Sequence, residues 1–262
     1  MPPLSEKRKI LQELHLLAVQ DIADLWHASS LLKLDSSSFR GMITEGVPDL
    51  LDPYTATAGD LSAEWYNQSA PNLSYQATPA ALPPNEQLSA SSAWALYSDG
   101  QAALKRLAGL AQRTIFNAQR ETIVGNVRME QGARWARYAS ANACAFCRMM
   151  ATRGAVYSTE SSAVSVGAER WEPKRNHKGK KVGGDIGRRG RVRGNQDAGD
   201  RYHDSCRCMA VEVRPGHSYE PPGYVDEWEQ QYIAAVKATP GTGQYGAIDF
   251  KAVLAHMQAN TS

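Results

Sequence analysis

The 262-residue chain has no uninterrupted apolar run long enough to cross a bilayer, a passage that takes about 20 residues. Its least charged reach, 65–98, is broken by Pro71, Pro79, Pro83 and Pro84 and is rich in Ser, Asn and Gln. The opening MPPLSEKRKI lacks the apolar centre and the small-residue cleavage site of a secretory signal, so none is expected. There is no G-x-S-x-G and no H-E-x-x-H, the local signatures of α/β-hydrolases and zinc proteases. Cysteine is scarce: four residues, too few for a disulfide-stapled scaffold. The expectation is a soluble protein made in a reducing compartment, where a cysteine pair more often holds a metal than forms a disulfide.

What is present is ordinary in bulk and uneven in detail. The chain is 42% hydrophobic and 21% charged, a globular composition, and its length suits one large domain or two modest ones. The formal charge of +2 conceals a basic segment in an acidic protein. Residues 170–193 hold ten Lys/Arg against Glu172 and Asp185, a balance of +8. The remainder holds 19 Lys/Arg against 25 Asp/Glu, a balance of −6.

The hydrophobic spacing predicts an α+β protein: a helical N-terminal half, a small mixed α/β module, and a helical C-terminal tail. Ile10, Leu11, Leu14, Leu17, Ala18, Ile22, Leu25 and Trp26 form the stripe of an amphipathic helix over 6–28. A second helix is predicted over 48–68 and a third over 99–124, with Asp99 as N-cap. Between them, 69–90 reads as a Pro-rich linker or covering segment. Arg134–Tyr138 and Cys206–Val213 alternate as strands do. Two short helices, 225–238 and 248–259, close the chain. The expected units are a helical domain 1–130, a Cys/His metal-tied module 131–215 with a basic loop 170–200, and a tail 216–262. Trp26, Trp65 and Trp94 are expected in the core.

All four cysteines fall in two stretches, NACAFCRMM (142–150) and YHDSCRC (202–208). The spacing is C-x2-C, then H-x2-C-x-C. Zinc takes four thiolate or imidazole ligands in a tetrahedron, and two intervening residues let Cys144 and Cys147 converge on one point. Cys206 and Cys208 would share a strand face, and His203 with Cys206 is an equally workable pair. Three candidates thus compete for two places. The competing readings are disulfides or unrelated buried thiols; the tight clustering favours a structural zinc. A closed four-ligand site leaves no position for a reacting water, so the ion would tie together the ends of a long basic loop.

These residues also carry a family resemblance. ACAFCRMMATRGAVYS (143–158) followed by YHDSCRC resembles the Mu F-like minor head proteins of tailed phages, in the form found in actinobacterial phages. DLSAEWYN (60–67), DEWEQQYIAAV (226–236) and FKAVLAHMQAN (250–260) are similar to the same group. The resemblance implies a minor structural or morphogenesis protein of the phage head, packaged near the portal and made alongside portal and major capsid proteins. It would reside in the virion, having passed through the host cytoplasm during assembly, with no membrane role. Members of this group are also labelled capsid maturation proteases, and that activity is the alternative; no matched catalytic residues come with it. The basic insert before His203 departs from the group's pattern.

Within that insert, Lys174, Arg175, Lys178, Lys180, Lys181, Arg188, Arg189, Arg191 and Arg193 are candidates for non-specific contacts to DNA phosphates or to an acidic protein partner. The competing reading is a solvated charged loop. Gly184, Gly187 and Gly190 lack the flanking strand and helix of a phosphate cradle. His15, His27, His217 and His256 offer no recognisable serine partner, and Asp21 and Asp24 read as a solvated helix face.

Overall fold

The computed structural model describes residues 1–98, 100–155, 206–239, 241 and 249–260. Within them run seven helices and one two-stranded sheet: α1 (Leu4–Leu31), α2 (Ser36–Ser69), α3 (Asn85–Ala95), α4 (Gly100–Met129), β1 (Arg134–Tyr138), α5 (Ala145–Ala151), β2 (Met209–Val213), α6 (Tyr224–Ala238) and α7 (Phe250–Ala259). The helical majority with a small sheet is compatible with the α+β expectation. No described helix is long and apolar enough to cross a membrane.

Helices α1, α2 and α4 build the main core. Leu11, Ile22, Ile43, Val47, Leu51, Leu107, Ile115 and Phe116 are among its most buried members, and Tyr138, Met209 and Val211 bring the sheet into the same cluster. Helix α2 starts well before the expected boundary. Asp35 caps it by accepting from the backbone N–H groups of Ser37 and Ser38, and it runs straight through Pro48 and Pro53. An internal proline costs about 3 kcal/mol. Burial of Ile43, Val47 and Leu51 at four-residue intervals offsets that cost, so tertiary packing overrides the local stop signal.

The Pro-rich stretch after α2 is two things. Residues 70–84 form an extended strap clamped by side chains from the helices on either side. Asn67 donates to the carbonyl and accepts from the N–H of Ala77, and Asn126 does the same for Thr78. Thr122 Oγ1 accepts from the N–H of Ala80 at 2.9 Å. Gly59 lets the strap lie close, since a Cβ there would sit 3.3 Å from Pro79 Cβ. The rest is α3, unforeseen because Leu88, Ser92 and Ala95 make a stripe of mostly small side chains. Trp94 on this helix is 58% exposed, contrary to the core expectation, with the Arg106 guanidinium 4.5 Å above its ring. Trp65 is buried as expected, and Trp26 packs edge-on against Phe39.

Gly132, at φ +84°, makes the left-handed turn that sends α4 into β1. Strand β1 falls on its predicted residues. It pairs antiparallel with β2 in the register Arg134↔Val213, Ala136↔Val211, Tyr138↔Met209. The residues that follow β1 and those that precede β2 therefore leave the sheet at the same end. Just beyond the other end, Arg214 is buried and uses every donor. It grips Glu130 with Nε and a second nitrogen, and donates to the carbonyls of Tyr66, Ala70 and Tyr75. Tyr66 adds a 2.6 Å hydrogen bond to the same carboxylate. A second buried ion pair, Lys7 to Glu212 at 3.2 Å, ties α1 to β2.

Candidate metal centre

The register just described delivers both cysteine clusters to one place. Beyond Tyr138 the chain turns through 139–143 into α5, whose N-cap is Cys144 and whose first turn holds Cys147. Before Met209, the irregular stretch 206–208 carries the other pair; β2 begins one residue past Cys208 rather than at Cys206. The Cys147 and Cys206 sulfurs are 3.4 Å apart, and those of Cys147, Cys206 and Cys208 all lie within 4.8 Å of one another. These three thiols are close enough to share one metal ion. Cys144 is exposed at the rim, its thiol hydrogen-bonded with that of Cys147. None of the four is in a disulfide. His203 and the nine basic candidates of 174–193 lie outside the described residues.

A dry shell surrounds the sulfurs. Ala139, Ala151, Val225 and Trp228 join Cys147, Cys206 and Cys208 in one buried cluster. Helix α6 forms the cover: Tyr224 donates to the carbonyl of Ala139 at 2.8 Å and packs on Trp228, above which Arg148 places its guanidinium. Arg148 Nε in turn donates to the carbonyl of Ala143 at 2.7 Å, fixing the turn that precedes Cys144.

Helix α4 holds the second cysteine pair from below. Arg120 donates to the carbonyls of Cys208 and Cys206, at 2.9 and 2.7 Å. Gln119 pairs both of its amide atoms with the backbone of Ala210, serving β2 as a neighbouring strand would. Gln112 accepts from Arg207 Nε at 2.8 Å. These three residues escape a sequence reading because each looks like ordinary helix surface. One signal was available: Gln112, Gln119 and Asn126 recur at seven-residue intervals, which keeps them on one helix face to within about 20° per step. Three carboxamides on a mostly apolar face mark the helix's polar contacts, Gln119 and Asn126 with backbone and Gln112 with the Arg207 side chain.

The clustered thiols shift one another's acidity. Hydrogen bonds from Cys147 and then Cys208, helped by the Arg120 guanidinium, hold the Cys206 thiol well below the usual thiol range. Cys147 is pushed up, first by Cys144, then by Cys206 and Cys208 and by burial. For Cys208 the hydrogen bond with Cys147 pulls down, but Cys206 and burial outweigh it and the thiol is also pushed up. A cation between the sulfurs would offset the cost of burying further thiolate charge.

Among the described residues no histidine is hydrogen-bonded to a serine. His15 Nε2 faces the Ala108 carbonyl, and His256 is paired with Asn260. Asp21, rather than standing free on a solvated face, accepts from the hydroxyl of Tyr54.

The fold and this centre together define a helical α+β scaffold in which two distant stretches bring three buried thiols into one covered cluster. The chain belongs to the VG15 protein family, which matches residues 2–235 and is a family of phage proteins. No curated protein and no solved structure matches it.

Proposed function

We propose that the centre holds a structural zinc ion and that the protein is a minor structural or morphogenesis component of a tailed-phage head, of the Mu F-like kind. Cys147, Cys206 and Cys208 are three of the ligands; the fourth is Cys144 or His203. Zinc–thiolate bonds of about 2.3 Å in a tetrahedron set sulfur–sulfur edges of about 3.8 Å. The 3.4 Å edge between Cys147 and Cys206 lies close to that value. The observation that carries the reading is the burial of the three sulfurs, each residue only 2–3% exposed, beneath Trp228. A site so covered offers no approach to a substrate, so its work is to tie α5 to the residues leading into β2.

On this reading the protein acts by binding. Its partners are the portal and major capsid proteins, and packaged DNA through the basic residues from Lys174 to Arg193. The setting is the head interior, reached from the host cytoplasm during assembly. Membership of a phage family supports the setting, and the sequence resemblance supports the role.

The test is co-expression of the chain with its phage's portal and major capsid proteins, followed by mass analysis of purified heads. The expected result is a low-copy chain that stays with the particles and a capsid protein of unchanged mass. Trimming of the capsid protein at a fixed site, lost on one Ser or His substitution in this chain, would make it the maturation protease instead. Absence from particles without trimming would remove the structural role.

A further inference from the structure

We propose that Cys144 and Cys147 form a redox modification site, at which a peroxide-class oxidant joins the two sulfurs in a disulfide and withdraws Cys147 from the ion. The consequence for the ion rests on the metal reading above; the pairing rests on the thiols themselves.

The four cysteines are not equally placed. Cys147, Cys206 and Cys208 are 2–3% exposed, whereas Cys144 is exposed at the N-cap of α5. An oxidant arriving from solvent meets Cys144 first. The partner at hand is Cys147, already hydrogen-bonded to it and one helical turn away, a spacing compatible with the Cα separation of ordinary disulfides. The Cys147–Cys206 pair is close at 3.4 Å, but both sulfurs lie under the apolar cover.

The chemistry balances with one equivalent of peroxide. The Cys144 thiolate attacks a peroxide oxygen; the O–O bond breaks, hydroxide leaves, and Cys144 becomes a sulfenic acid, oxidised by two electrons as the peroxide is reduced. The Cys147 sulfur then attacks the Cys144 sulfur. An S–S bond forms, the S–O bond breaks, and the departing hydroxide takes the Cys147 proton as water. In sum, two thiols and one peroxide give a disulfide and two waters. Cys206 and Cys208 remain as thiols, both on the lead into β2, so the sulfurs no longer bridge α5 to that lead. Oxidation replaces a link between two distant chain segments by a link within one turn.

The experiment uses the full chain, purified under reducing conditions. Native mass spectrometry first gives zinc per chain, expected at one. A small excess of hydrogen peroxide is then added, and ion content, denatured mass and cysteine linkage are followed together. The expected outcome is loss of the ion in step with loss of two hydrogens, a first linkage between Cys144 and Cys147, and recovery on adding a thiol reductant and zinc. Cys144→Ser should slow the loss about tenfold, because the remaining thiols are shielded. The wild-type linkage map decides the matter even if that variant loses its ion or fails to fold. A first linkage between Cys147 and Cys206, over-oxidation to sulfinic acid without a disulfide, or no reaction would each overturn the proposal. Protein that starts without metal overturns the metal reading alone, since the linkage map still tests the pairing.

Discussion

His15 shows how one side chain can set a pH limit. Its ring is buried between α1 and α4, and because a carbonyl only accepts, Nε2 carries the hydrogen that meets Ala108 at 3.2 Å. Burial lowers its pKa below the ordinary 6.5; the Ala108 bond opposes this, and the charge on Arg207 adds to the lowering. The sign follows from the two states. Above pH 6.5 both folded and unfolded chains hold the neutral ring, and no difference arises. As pH falls through 6.5 the unfolded chain takes up its proton first, so the folded state loses stability until its own lower pKa is passed. Chemical denaturation across this window should show a decline in the wild type that His15→Gln reduces, since glutamine can still donate to Ala108 but does not titrate. The clustered cysteines illustrate legibility at the same scale. Their spacing announces the centre, because C-x2-C and C-x-C constrain geometry by themselves. Of the residues that hold the second pair in place, Gln119 shows only in the seven-residue carboxamide spacing and Arg120 not at all.

Elements were legible where they carry their own pattern. Strand β1 and the long stripes of α1 and α4 are periodic enough to be read directly. Helix α5 is only seven residues long, shorter than the window in which a period can be recognised. The strap 70–84 was foreseen as covering, but its fastenings were not, because they are made by helices distant in sequence. Asn126 is the chief of them. Asn126→Ala strips partners from the N–H and carbonyl of Thr78 and from the Tyr75 hydroxyl. Thr78 is exposed and Tyr75 half-buried, so water can replace the lost partners and the cost falls below the about 1–3 kcal/mol of an unpaired buried group. Hydrogen exchange should quicken at Thr78 and its strap neighbours, while the amides of α1 keep their protection. Equal acceleration throughout would mean that the strap is part of the global fold rather than a separable layer.

At the scale of the molecule, Arg214 joins more of the chain than any periodic pattern reveals. It connects the end of β2 to α2 through Tyr66, to the strap through Ala70 and Tyr75, and to the segment after α4 through Glu130. Arg214→Met leaves Glu130 as a buried carboxylate without its cation, a loss of about 3–5 kcal/mol. Urea denaturation should show that loss, and Glu130→Gln added to it should recover part by removing the stranded charge. No recovery would place the cost in packing alone.

The sheet register, finally, roots two chain segments side by side although Cys147 and Cys206 stand 59 positions apart in sequence. Closing a loop grows costlier only with the logarithm of its length. For a stretch rooted in this way, a change of length alters the closure cost only slightly.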